Sequence, residues 1–220
     1  MTNDFLTVFR HFDQFLGGLW NTLWLAGATL VFASILGCGI AALMLARQRS
    51  IRKLVAFLVD GMRCIPFLLL AYLVYYGLPE LGLQFDSWTC GVSALVLYHS
   101  AYVAEIVRGA WTSLAREQIN AGKAFGFHGY KLFRRIILPQ LFFASAPVVG
   151  NQTVQIVKDT AFLMIITVPE LTFVASSIQA TYFVPFASFM VAMLLYWVVT
   201  LVIEAGVRRV EVSASLRRAA

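Results

Sequence analysis

Apolar residues fall along this chain in five long runs separated by short polar stretches. The runs extend from about Phe15 to Ala46, Leu54 to Leu78 (with Pro66 inside), Trp88 to Arg108, Leu141 to Val168, and Pro185 to Val207. A helix needs about 20 mainly apolar residues to cross a bilayer, and each run supplies them. The first exceeds what a ~30 Å hydrocarbon core requires at ~1.5 Å per residue. It therefore predicts a tilted helix, or one whose Gly17-Gly18 end lies in the outer interface. The residues before it include Asp4, Arg10, His11 and Asp13, which is not the basic start of a cleaved signal; this run is expected to be retained. The pattern predicts an all-α integral membrane fold of about five transmembrane helices, forming one domain over residues 1–220.

Composition strengthens that picture. Of the 220 residues, 60% are hydrophobic and 13% charged, and the mean hydropathy is +0.78. Soluble domains carry about 25% charged residues, so this chain lacks the polar surface to stay in water. The net charge of +6 is read as topogenic. Arg47, Arg49, Arg52 and Lys53 follow the first run, whereas the next connection holds Glu80 and Asp86 without Lys or Arg. The third connection holds Arg108, Arg116, Lys123, Lys131, Arg134 and Arg135. The fourth, Pro169 to Val184, holds only Glu170, and the tail holds Arg208, Arg209, Arg217 and Arg218. Basic connections face the cytoplasm, which predicts the N-terminus outside and the C-terminus inside. A nucleic-acid reading would need a basic, aromatic-studded soluble face, and none is evident. Cys38, Cys64 and Cys90 lie in or beside apolar runs without metal or disulfide spacing and are expected to pack.

The third connection, residues 109–140, is far longer than a minimal helix connection. Leu114, Ala121 and Phe125 fall on one helical face, and Gly126 is placed to end that helix. Tyr130, Phe133 and Ile137 repeat the spacing, with Pro139 expected to close the second helix. Such an amphipathic hairpin suits either an anionic lipid surface or a partner's groove. The chain has no phosphate-binding loop: its Gly122-Lys123 pair is followed by Ala124. Any ATP-driven work would need hydrolysis by another subunit. No Gly-x-Ser-x-Gly elbow or His-Glu-x-x-His zinc pair is present, so neither catalytic residues nor a metal site is expected. A self-contained secondary transporter would favour internal repeats or half-helices, which are not evident.

Polar residues inside the runs face a bundle interior or a wet cavity as a rule. Asn151, Gln155, Lys158 and Asp159 step by four, three and one, and are expected on one face of the fourth run. Asn151 and Gln155 are candidates to line a solute path, with His99 and Tyr102 as weaker ones. Lys158 and Asp159 are expected to fix packing, paired with each other or with Asp60 and Arg63. Glu204 is expected to snorkel or to pair with a tail arginine.

Several pieces carry a family resemblance. Glu105-Ile-Val-Arg108-Gly109, Ser113-Leu114, Gln118, Ala121, Gly126 and Ile137-Leu-Pro-Gln140 resemble the cytoplasmic loop of ATP-binding-cassette (ABC) importer permeases. The polar amino acid group is the nearer match, through Gly18-Leu-Trp-Asn-Thr22-Leu, Arg63-Cys-Ile-Pro66 and Lys158-Asp159-Thr160. The likeness runs from about residue 16 to 207. It implies a type I importer permease in a bacterial inner membrane, with a coupling helix between helices three and four. The implied coupling residues are Glu117, Gln118, Asn120, Ala121, Gly122, Ala124, Gly126 and Phe127. The implied partners are a cytoplasmic ATPase dimer holding ATP and magnesium, an identical or sibling permease, and an external binding protein delivering a polar amino acid. A permease for another small solute is the alternative within the same family. The family's Glu-Ala-Ala is Asn120-Ala121-Gly122 here, which favours a sibling partner. Its Gly-Gln is Glu117-Gln118, and its Asp-Thr-Ser is Asp159-Thr160-Ala161. Glu117, three positions before Asn120, is placed to supply the lost acid.

Overall fold

The computed structural model describes the backbone of residues 2–219 and the side chains of residues 3–209; Arg217 and Arg218 lie outside those side chains. Among the described residues every regular element is helical. In order these are α1 (Thr2–Arg10), α2 (Phe12–Met44), α3 (Arg49–Cys64), α4 (Phe67–Glu80), α5 (Ser87–Thr112), α6 (Arg116–Ala124) and α7 (Gly129–Leu132). A π-helical turn, Phe133–Ile137, leads into α8 (Leu138–Thr160), and a 3-10 segment, Ala161–Ile166, follows it. The chain closes with α9 (Leu171–Tyr182) and α10 (Pro185–Ala219). Phe12–Met44, Ser87–Thr112, Gly129–Ile166 and Pro185–Arg209 are long and apolar enough to cross a membrane. The pair α3 and α4 makes a fifth span if counted as one broken helix.

That break corrects the single helix expected over Leu54 to Leu78. The two pieces are bent by 101°, and the cause is local. Proline lacks the amide hydrogen and pushes the residue before it out of the helical region. Ile65 accordingly sits at φ −81°, ψ 131°. The Pro66 carbonyl then accepts from the Leu69 and Leu70 amides and restarts the helix. The hairpin also differs from expectation. Pro139 does not close a helix: it stands in the first turn of α8, directly after the π turn. The π turn absorbs the change of register, so α7 and α8 form one continuous stretch. α1 and α9 were not expected at all. α9 is too short to span, at ~18 Å for its 12 residues. Its buried residues Leu171, Ala175 and Ile178 step by four and three, a helical spacing that is the sequence signal for this element.

α2 and α5 form the central pair. Along α2 the buried positions are mostly small: Gly18, Thr22, Ala26, Thr29, Ala33, Gly37 and Ala41. Membrane helices approach closely through such residues, since lipid gives no hydrophobic drive between them. Gly37 shows the tolerance: a Cβ there would lie 2.7 Å from Val103 Cβ and 2.9 Å from the Ser100 carbonyl. One core cluster joins Leu25, Phe67, Leu70, Leu95, Leu163 and Ile166. Another joins Val8 and Phe15 to α9 and α10. The opposite surfaces expose large apolar side chains, among them Trp20, Trp24, Phe32, Ile35, Phe57 and Trp197, as a lipid-facing belt requires. Of the cysteines, only Cys90 packs in the core; Cys38 and Cys64 are exposed.

The turn before α9 is pinned from three sides. Glu170, fully buried, accepts from the Thr172 and Phe173 amides at 2.8 and 2.7 Å and from the Tyr196 hydroxyl at 2.7 Å. Asn21 Nδ2 donates to the Pro169 carbonyl at 2.8 Å, and the Leu171 amide donates to Thr22 Oγ1 at 3.2 Å. Gly18 lets this turn approach, since a Cβ there would lie 3.0 Å from Leu171 Cα. The Gly18-Leu-Trp-Asn21-Thr22 motif is thus the seat of the α9 turn.

Candidate functional site

The polar stripe of α8 divides in two. Asn151, Gln155 and Lys158, at steps of four and three, are exposed along one face. Asp159 is one residue further round and is buried at 4% exposure against α5, so the four do not share a face as expected. Its Oδ1 accepts from Gln155 Nε2 at 2.9 Å, and its Oδ2 lies 3.5 Å from His99 Nε2. His99 is fully buried, with Nδ1 2.8 Å from Gln152 Nε2. Glycine-like closeness is not needed here; long side chains bridge α5 and α8. Of the two expected pairings, Lys158 with Asp159 or these two with Asp60 and Arg63, the second is not what the geometry gives. Asp60 and Arg63 face each other at 3.7 Å within α3. Gln152 joins the cluster unforeseen; it stands seven residues, two turns, before Asp159 on α8, and its place beside His99 becomes evident only once α5 is in position.

Tyr102 points elsewhere. Its hydroxyl donates to the Arg63 carbonyl at 3.3 Å and lies 3.1 Å from the Tyr98 hydroxyl. The Arg63 guanidinium stands 5.4 Å over the Tyr102 ring, a cation–π distance. Arg63 and Tyr102 therefore brace the broken end of α3 against α5. The side chains of Glu105 and Arg108 are joined by two hydrogen bonds, at 2.8 and 2.5 Å.

In the long connection, α6 ends in a Schellman turn. The Phe127 amide donates to the Gly122 carbonyl and the Gly126 amide to the Lys123 carbonyl, both at 3.0 Å. Gly126 takes φ +81°, which a residue with a Cβ adopts only at a cost. Gly122 is buried against the segment leading into α8: a Cβ there would meet Ile136 Cδ1 at 2.4 Å and Leu132 Cδ1 at 3.0 Å. The glycine in Asn120-Ala121-Gly122 thus seats α6 directly on the start of the fourth long helix. Phe127 is half-buried. Glu117, Gln118, Asn120, Ala121 and Ala124 are exposed, and Phe125 is 83% exposed. Leu114 precedes α6 and does not share its face. The outcome is a short helix with an open polar and aromatic side and a rigid base. Towards the C-terminal part of α10, Glu204 lies 3.7 Å from Arg208.

Residues 33–214 match the family described as binding-protein-dependent transport system inner membrane component. The glutamine ABC transporter permease protein GlnM, a probable assignment from Bacillus subtilis, is 29% identical over 93% of this chain and 94% of its own length. The nopaline transport system permease protein NocM of Agrobacterium fabrum is 31% identical over 91% and 88%. The arginine ABC transporter permease protein ArtQ of Haemophilus influenzae is 31% identical over 96% and 95%. Among solved structures, an amino acid ABC transporter crystallised with histidines superposes with a TM-score of 0.89 at 29% identity, covering 96% of this chain and 99% of that one. The MetNI methionine ABC transporter shares the fold at 17% identity, with a TM-score of 0.72.

Proposed function

Since this chain belongs to the binding-protein-dependent transport system inner membrane component family, we propose that it is the permease of an ATP-driven importer whose cargo is a polar or charged amino acid. The observation that carries this reading is the end-to-end match to three permeases, each named for a different amino acid or amino acid conjugate. A second permease, identical or sibling, would complete the path. A binding protein outside would deliver the cargo, and an ATPase pair in the cytoplasm would hold ATP and magnesium.

The geometry supports a division of labour. The open side of α6, with Glu117, Gln118, Asn120 and Ala124, suits a groove on the ATPase, and the basic connections support a cytoplasmic position for it. Closure of an ATPase dimer must move a rigid lever to open the membrane path. The Schellman turn at Gly126 and the close seat of Gly122 on Leu132 and Ile136 give α6 that rigidity. Asn151 and Gln155 on the exposed face of α8 are the residues assigned to the cargo, because amides provide polar partners without adding a buried charge.

The test is purification of the assembled importer with its partners and reconstitution into liposomes. ATP hydrolysis should rise when the loaded binding protein is added, and labelled amino acid should accumulate. Uptake by this chain alone, without an ATPase subunit, would replace the reading with that of a self-contained transporter. ATP-driven uptake of another small solute class in preference to every amino acid offered would leave the permease and remove the cargo.

A further inference from the structure

An amide at the edge of a path offers either a donor or an acceptor, depending on how it is turned. For Gln155 the choice is made from behind. Its Nε2 donates to Asp159 Oδ1 at 2.9 Å. The opposite turn would set the amide oxygen against a carboxylate, acceptor against acceptor, where Asp159 is only 4% exposed. Asp159 is in turn faced by His99. The ring's Nε2 is buried without a hydrogen-bond partner, and Asp159 Oδ2 is 3.5 Å away. A neutral imidazole carries one proton. With Gln152 Nε2 donating to Nδ1 at 2.8 Å, that proton sits on Nε2, the ring nitrogen beside the acid. Reversing Gln152 would turn the ring's lone pair toward the carboxylate, which is unfavourable in a poorly solvated place. Gln152 thus donates to His99, Gln155 donates to one oxygen of Asp159, and the His99 Nε2–H stands beside the other.

We propose that the buried chain Gln152–His99–Asp159 fixes Gln155 with its carbonyl oxygen outward, so that the open stripe of α8 presents an acceptor to a primary ammonium or guanidinium on the cargo. His99 is the positioning residue and touches no cargo itself. This rests on the reading that Gln155 meets the cargo. Either the α-ammonium or a basic side chain supplies the donor. The two sources differ in consequence: the first makes the stripe indifferent to side chain, whereas the second makes it select basic amino acids over glutamine.

The experiment uses the whole importer in liposomes, with uptake kinetics for arginine and for glutamine. Gln155→Glu and Gln155→Lys are both made in an Asp159→Asn background, so that no carboxylate faces the substituted side chain: there Gln155→Glu keeps acceptors only, and Gln155→Lys offers donors only. The expectation is that Gln155→Lys raises KM by about 10-fold or more relative to Gln155→Glu, the scale of one hydrogen bond to a charged group. Loss for both amino acids assigns the α-ammonium; loss for arginine alone assigns the side chain. Asp159→Asn, whose amide can donate, frees Gln155 to turn and should raise KM with kcat little changed. His99→Leu should do the same, and His99→Gln, which restores a donor toward Asp159, should recover most of it. Complex yield and thermal midpoint are measured for each variant, and Gln155→Met serves as an isosteric control without an acceptor should the charged variants fail to assemble. Wild-type kinetics in Gln155→Ala would sink the cargo contact itself. An impaired Gln155→Ala with Gln155→Lys equal to Gln155→Glu would sink only the polarity. Unchanged KM in Asp159→Asn and His99→Leu, with lowered thermal midpoints, would reduce the chain to packing and overturn the proposal.

Discussion

Glu170 offers the sharpest test of how the turn before α9 is held. Truncation to Ala removes an acceptor shared by two backbone amides of α9 and the Tyr196 hydroxyl. Loss of an N-cap side chain costs roughly 1–2 kcal/mol. Burial raises the Glu170 pKa to about 7, so loss of negative charge at a helix N-terminus adds about 0.5–1 kcal/mol only above that pH. The Tyr196 hydroxyl keeps Thr172 Oγ1 at 3.1 Å, so its loss is limited to about 1 kcal/mol. Relief from burying a carboxylate offsets part of this sum, leaving about 2–3 kcal/mol. For a chain of this size that corresponds to a fall of roughly 5–10 °C in thermal midpoint. Glu170→Gln preserves volume and one acceptor and should cost about 1 kcal/mol, or roughly 2–4 °C. The assay is thermal unfolding of the purified importer followed by size-exclusion retention of this subunit. An Ala variant within about 1 °C of wild type, well below the scale a lost cap implies, would refute the reasoning. So would a Gln variant as unstable as the Ala one, since the capping acceptor would then be irrelevant.

Gly126→Pro should insert and assemble normally yet lose ATP-coupled uptake, because proline cannot reach the φ of +81° at that position or donate to the Lys123 carbonyl; uptake at the wild-type rate would remove the lever from the mechanism. A cysteine replacing Gln48, which precedes α3 beside four basic residues, should resist a membrane-impermeant thiol reagent in intact cells after Cys38 and Cys64 are replaced. Labelling from outside would reverse the orientation.

The membrane character, the long spans and the left-handed end of α6 were all legible in the sequence, because each rests on a local property. Hydropathy over ~20 residues selects lipid regardless of neighbours. A glycine between two amphipathic segments marks a turn that only a residue without a Cβ adopts freely. Pro66 was just as local, but a proline inside an apolar run is compatible with a kinked span, and the size of the bend depends on what α4 and α5 offer each piece. The site was less legible. Asn151, Gln155, Lys158 and Asp159 are defined by steps along one helix, and such steps say which residues are near each other, not which side faces inward. Asp159 turns inward because His99 on α5 lies opposite it, sixty residues away in sequence. Glu170 likewise looked like one acid in a short loop; it becomes a buried cap only when Thr22, Asn21 and Tyr196 arrive from α2 and α10. Desolvation and hydrogen-bond partners are properties of the assembled surface, and in a bilayer, where water cannot satisfy a stray polar group, the tertiary structure alone decides which polar residue is held inside and which is left exposed.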